Sequence, residues 1–163
     1  MGYRSDVIVA VVVPEAVAKE LVALYAMNPL VQEHRLVSQW QIYKTTCNGT
    51  PAVIFESKAE GEKWYESYPE VQGIEHLPEL IAMLDEKRED GFPAATCCIR
   101  VGEEEEDISL DYTEYSMEKL DEFGDYAGEL LREMYYVSRE IVIEVPWDTK
   151  AIEHLWDTDP EEE

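Results

Sequence analysis

The sequence predicts a single α+β domain, with a mixed or mostly antiparallel sheet of about six strands and helices packed on one face. Three observations predict it. Segments with period-2 or continuous β-branched patterning recur along the chain, interrupted by segments of helical spacing in no regular alternation. Nothing rich in Gly, Ser and Pro is long enough to divide the 163 residues, and no repeat of roughly 20–50 residues is present. Hydrophobic residues make up 45% of the chain, enough for a core despite a formal net charge of −24.

Residues 5–13 read as a buried strand, because Val7, Ile8, Val9, Val11, Val12 and Val13 are nearly continuous. Pro14 suits the first turn of a helix, Glu15 its N-terminal end, and Val17, Leu21, Leu24 and Tyr25 share one face. Asn28-Pro29 ends that helix. Residues 35–45 alternate, with Leu36, Ser38, Trp40 and Ile42 on one side, so the sheet is expected to include 36–43. Asn48-Gly49 is the strongest hairpin signal and leads into a strand over 52–56. A short helix over 60–68 carries Trp64, Tyr65 and Tyr68 and ends at Pro69. The i, i+4 spacing puts Trp64 and Tyr68 on one face, a pattern commoner in cores than at recognition patches. A second helix starts near Leu77 with Pro78 at its beginning and Leu77, Leu80, Ile81 and Leu84 on one face.

Gly91-Phe92-Pro93 punctuates the chain before a strand over 94–101. Gly102 and Glu103 to Glu106 form an acidic turn. Ile108, Leu110 and Tyr112 then alternate with Ser109, Asp111 and Thr113 in a half-exposed strand. Met117, Leu120 and Phe123 suggest a short helix. Residues 135–145 read as one long strand of the sheet. Tyr135, Val137, Ile141, Ile143 and Val145 lie on one face, with Ser138, Glu140 and Glu144 on the other. The domain is expected to span 1–156, and 157–163 to form a flexible acidic tail.

Three cysteines, Cys47, Cys97 and Cys98, give an odd count with no C-x-x-C. On a strand, adjacent Cys97 and Cys98 point to opposite faces and cannot easily bridge. Reduced, partly buried thiols point to a cytoplasmic location. The apolar run 7–13 is too short to span a membrane, and Pro14-Glu15 interrupt it as a signal-peptide core. Asn48-Gly49-Thr50 fits a glycosylation acceptor, but without a secretory signal it reads as a turn.

Motifs that carry chemistry are missing: no phosphate-binding glycine loop, nucleophile elbow or H-E-x-x-H occurs. His34, His76 and His154 are far apart, and none sits at metal-ligand spacing from another histidine or a cysteine. Carboxylates are too abundant for any pair to signal acid–base catalysis without geometry. The expectation is a protein that is not an enzyme, with no cofactor, no metal site and no catalytic residue.

Charge is the informative feature. From Glu103 to the end there are 22 acids and 4 bases, net −18, against 15 acids and 9 bases before it. The scarcity of clustered Lys and Arg argues against direct nucleic-acid binding and against an anionic membrane. A small domain needs a net charge of only roughly 2–8 for solubility. The acidic third is either a solvated face or a surface that imitates a phosphate backbone or docks on a basic partner. The expected partner surface comprises Glu103, Glu104, Glu105, Glu106, Asp107, Asp111, Glu114, Glu140 and Glu144. Arg4 and Arg100, scarce cations beside strands, are expected to form structural ion pairs.

Three stretches carry a resemblance. Gly2-Tyr3-Arg4-Ser5-Asp6-Val7 resembles the opening of a group of small acidic proteins encoded by tailed bacteriophages. Lys63-Trp64-Tyr65-Glu66-Ser67-Tyr68-Pro69-Glu70-Val71 resembles its middle motif, and Arg100-Val101-Gly102-Glu103 with Asp107-Ile108 its late strand-and-turn motif. The resemblance implies a phage accessory protein acting in the bacterial cytoplasm and assigns no catalytic residue. With the charge, it leads to an expected inhibitor of a basic, nucleic-acid-handling host protein, such as a CRISPR effector or restriction nuclease, by DNA or RNA mimicry. The alternative is a non-enzymatic phage structural or assembly module.

Overall fold

The computed structural model describes residues 2–117, 122–152 and 155. Its strands are β1 (Ser5–Pro14), β2 (Gln41–Cys47), β3 (Thr50–Glu62), β4 (Gly91–Gly102), β5 (Ile108–Met117), β6 (Tyr135–Ser138), β7 (Glu140–Ile143) and β8 (Lys150–Ile152). The helices are α1 (Glu15–Ala26), α2 (Pro29–Glu33), α3 (Pro69–Lys87) and α4 (Phe123–Met134), with a 3₁₀ turn at Val37–Gln39. Six strands form one antiparallel sheet in the order β5-β4-β1-β3-β2-β8, and β6 with β7 makes a separate hairpin. This is the predicted α+β class.

The helices lie on both faces of the sheet, not on one. Val7, Val9, Val11 and Val13 of β1 pack with Leu21 and Tyr25 of α1 and Leu77 and Ile81 of α3. Ile8, Ala10 and Val12 face the other way, against Ala127, Leu131 and Met134 of α4. The run of β-branched residues is therefore a central strand covered on both sides. Each fully buried Val or Ile contributes roughly 1.5–3 kcal/mol to folding. The predicted hairpin forms as expected, with Asn48 at φ 50° and Gly49 at φ 81°, the positive values its two-residue turn requires.

Four other expectations change. Residues 35–40 are not strand: the chain there passes through the 3₁₀ turn, and β2 begins at Gln41. Leu36 and Trp40 are buried all the same, so alternation of apolar residues marked burial and not conformation. Residues 60–68 are not a helix. β3 runs on to Glu62, and Pro69 opens α3 instead of closing a helix. Pro78 lies inside α3, where burial of Val71, Ile74, Leu77, Leu80 and Ile81 outweighs the lost backbone hydrogen bond. The expected short helix at 117–123 lies partly outside the described residues, and α4 begins at Phe123.

The long strand predicted over 135–145 is two strands turned back at Arg139, whose φ is 68°. Tyr135 pairs with Ile143 and Val137 with Ile141, so the predicted apolar face survives the reversal except at Val145, which lies beyond β7 and is 39% exposed. That face caps the α4 side of the sheet. α4 approaches β5 closely because Gly124 and Gly128 have no side chains. A Cβ on Gly124 would come within 2.3 Å of the Tyr115 carbonyl oxygen. Among the described residues, no helix is long and apolar enough to cross a membrane.

Candidate functional site

The sheet register assembles one acidic end. Ser5 pairs with Glu62 on one side and with Gly102 on the other, so the start of β1 lies between the ends of β3 and β4. Isolated residues of the sequence thereby become neighbours of the 103–106 turn.

A knot of hydrogen bonds holds that turn. Arg100 donates to Asp107 through both terminal nitrogens, at 2.5 Å and 3.0 Å, and to Ser5 Oγ at 3.1 Å. The Tyr3 hydroxyl donates to Asp107 Oδ2 at 2.6 Å and accepts from the Glu104 N–H at 3.0 Å. The Gly102 N–H donates to the Asp107 carbonyl at 2.8 Å, and the Arg4 N–H to Glu103 Oε1 at 2.9 Å. The Arg100 guanidinium, helped by Tyr3, holds the Asp107 carboxyl down at about 2, and Asp107 in turn raises Arg100. Arg100 is thus ion-paired, as expected. The Arg4 side chain donates to the Gly61 carbonyl at 2.7 Å. The Tyr65 hydroxyl accepts from the Tyr3 N–H at 2.7 Å, so residues from all three stretches that carry the resemblance meet here.

Beyond the knot, Glu103 to Glu106 are exposed. Gly61 is fixed to the start of β1 by its N–H, which donates to Asp6 Oδ1 at 2.7 Å. Lys58 pairs with Glu60 at 2.7 Å, which raises the lysine pKa. Glu140, next to the hairpin reversal, shares a recess with Asp6, Lys58 and Glu60. The acidic end therefore combines Asp6, Glu60, Glu62, Glu103 to Glu106 and Glu140. Asp6, Glu60 and Glu62 were missed by the sequence reading. Only the register of β1 with β3 and β4 could have revealed them.

The other expected partner residues lie elsewhere. Asp107 is spent inside the knot. Asp111 pairs with Cys98 on the α3 side of the sheet and accepts from Thr113 Oγ1 at 3.2 Å. Glu114 pairs with Ala95 on the opposite side, where Arg132 of α4 reaches it at 2.5 Å. Glu144 is at the base of the hairpin and accepts from the Tyr136 hydroxyl at 2.6 Å. The nine residues do not share one surface.

Titratable groups elsewhere are set by burial. Cys47 and Cys98 are pushed up to about 11 by burial, and Cys97 rises for the same reason, so none is an activated thiol. His34 Nδ1 lies 3.4 Å from Glu70, and His76 stacks on Tyr25 with its pKa lowered by burial. His154 lies outside the described residues. No group of three or more His, Cys, Asp or Glu among the described residues is arranged to hold a metal ion. Comparison with protein-family models, curated proteins and solved structures finds no match to this chain.

Proposed function

We propose that this protein is a non-catalytic inhibitor whose acidic end docks on a basic, nucleic-acid-handling protein in place of nucleic acid. The observation that carries the reading is the fixed rim of carboxylates Glu104, Glu105, Glu106 and Glu140, beside Asp6, Glu60 and Glu62. The Arg100–Asp107 knot holds the turn that carries Glu104 to Glu106, and the β6–β7 pairing holds Glu140. Pre-positioned charges lose less side-chain and loop freedom on binding than charges on a floppy tail. They steer a cationic partner towards the rim and are screened beyond about 8–10 Å at moderate salt. The resemblance to tailed-phage proteins makes a host defence nuclease, such as a CRISPR effector or restriction enzyme, the partner class of choice.

A second reading, a phage assembly module, is favoured by one specific observation. β5 is an edge of the sheet, and its Ile108 and Leu110 are 44% and 52% exposed. Unpaired edges with apolar side chains invite strand pairing. Affinity capture from a bacterial lysate separates the two. The inhibitor reading predicts a basic protein that duplex DNA or RNA displaces and that a Glu104→Gln, Glu105→Gln, Glu106→Gln, Glu140→Gln variant fails to retain. Capture unaffected by nucleic acid and by that variant, but lost on Leu110→Lys, favours the assembly module.

A further inference from the structure

A cavity of about 860 Å³ lies beside the acidic end, between the last residues of β3 and the first turns of α3. It exists because β2 pairs with β3 only as far as Gln41 opposite Glu56. From Ser57 to Glu62 the edge of β3 has no β2 residue beside it, since the preceding chain has turned away through Val37–Gln39. Both walls are places where the sequence-based expectation failed: residues 35–40 are not strand and 60–68 are not helix. Local patterning and fold disagree most often where a site is being built.

Cations and aromatic rings converge here in a chain that has few cations. Arg4, Lys58 and Lys63, three of its 13 Lys and Arg residues, line the cavity with Trp64 and Tyr68. Lys58 is held by Glu60, but Lys63 has no ion-pair partner among the described residues. Lys63 and Arg4 also line an adjoining recess. The Trp64 indole is fixed by donating to Glu75 Oε1 at 3.3 Å. The Tyr68 ring stands edge-on to Tyr65 with centroids 5.2 Å apart. α3 begins at Pro69 with no side chain capping its free N–H groups, so the positive end of a 19-residue helix borders the cavity.

Ser57 also lines the cavity, and its hydroxyl donates to no other group among the described residues. Two of the three lining carboxylates are already engaged, Glu60 by Lys58 and Glu70 by His34. Glu62 is exposed and unpaired among the described residues.

We propose that this cavity binds a mononucleotide, with its phosphate at Lys63 and Arg4, its base against Trp64 and Tyr68, and its ribose hydroxyls on Glu62 and Ser57. Its volume falls within the roughly 300–1,000 Å³ of small-molecule pockets. Arg and Lys bind phosphate, an aromatic face stacks on any base, and a carboxylate accepts from ribose hydroxyls. A long nucleic acid is a poor occupant, because its further phosphates would run against Glu103 to Glu106. The site shares Glu60 and Glu62 with the acidic end but none of Glu104, Glu105, Glu106 and Glu140, so it is tested independently of those four.

The test is calorimetric titration of the full chain with AMP, GMP, CMP and UMP, with adenosine, inorganic phosphate and a single-stranded oligonucleotide as comparisons. At least one monophosphate binds, and adenosine and phosphate each bind weaker by about tenfold or more. Lys63→Gln and Tyr68→Ala each weaken nucleotide binding by about tenfold with the melting temperature retained, whereas the Glu104/Glu105/Glu106/Glu140 glutamine variant leaves it unchanged. Because both side chains are at least partly exposed, these variants keep the fold, and Trp64→Leu adds a third where it folds. No binding by any monophosphate at millimolar concentration overturns the proposal. So does phosphate binding as tightly as the nucleotides, an oligonucleotide binding more tightly than they do, or indifference to Lys63→Gln.

Discussion

In the knot at the end of β4, both carboxylate oxygens of Asp107 have donors, from Arg100 and Tyr3. On the rim beside it, Glu104, Glu105, Glu106 and Glu140 have no side-chain donor among the described residues. Asp107 and Glu106 are adjacent in sequence and of one charge, and the fold uses them in opposite ways. Asp107 anchors the start of β1 to the end of β4. Glu104, Glu105 and Glu106 are carried by that anchor and take no part in it, and Glu140 stands on the β6–β7 hairpin. Charge density along a sequence does not separate carboxylates that hold the fold together from those left exposed. Partnered carboxylates belong to stability, and only the unpartnered ones remain for another molecule.

That division can be broken from its partnered side first. Glu56 is 4% exposed, and its carboxylate accepts from the Tyr135 hydroxyl at 3.2 Å. Tyr135→Phe removes that donor, leaving Tyr43 beside the carboxylate, and is expected to cost about 1.5–3 kcal/mol, the usual worth of a hydrogen bond to a charged group. The pH dependence has a sign. Burial raises the Glu56 pKa, so its charged form is disfavoured in the fold, and stability is lost as pH rises through the folded value. The Tyr135→Phe deficit is therefore larger at pH 7 than at pH 4, read by urea unfolding at both.

Asp107→Asn is the next largest effect. It keeps the shape and removes the charge that Arg100 pairs with, so the melting temperature at pH 7 falls. The folded pKa of about 2 lies below the ordinary 3.8. The contribution is thus present above the ordinary value and lost as pH falls through about 2. The gap between wild type and variant narrows over that acid window. A gap that widened there would show that Asp107 is not held by Arg100.

The smallest effect on stability belongs to the rim. The glutamine variant of Glu104, Glu105, Glu106 and Glu140 changes folding free energy by no more than about 0.5 kcal/mol, as surface substitutions usually do. Any change is towards greater stability, because self-repulsion is relieved. A loss comparable to that of Asp107→Asn would erase the distinction between knot and rim.

The sheet was legible in the sequence where both faces of a strand are covered or a turn has one chemistry. Val7 to Val13 and Asn48-Gly49 are the two cases. Misreadings arose where burial and backbone conformation part company. Leu36 and Trp40 alternate like strand residues yet sit on a 3₁₀ turn and its flanks, and 135–143 keeps its apolar face through a reversal at Arg139. Pro78 looked like a helix start because its cost is local, while the packing that offsets it is tertiary. Glu103 to Glu106 and Glu140 could be named from charge alone. Their separation from Asp111, Glu114 and Glu144, and their company with Asp6, Glu60 and Glu62, follow from strand register, which no single segment encodes.

The central claim is that the rim is a docking surface for a basic protein. Its most direct test is the association rate of the captured partner with wild type and with the rim variant, measured across a salt series with and without the partner's DNA or RNA. Association is expected to be fast, to slow steeply with salt and to be excluded by bound nucleic acid, with affinity weaker by at least about tenfold, or roughly 1.4 kcal/mol, for the rim variant. Salt-independent binding that tolerates bound nucleic acid and the four glutamines would contradict it.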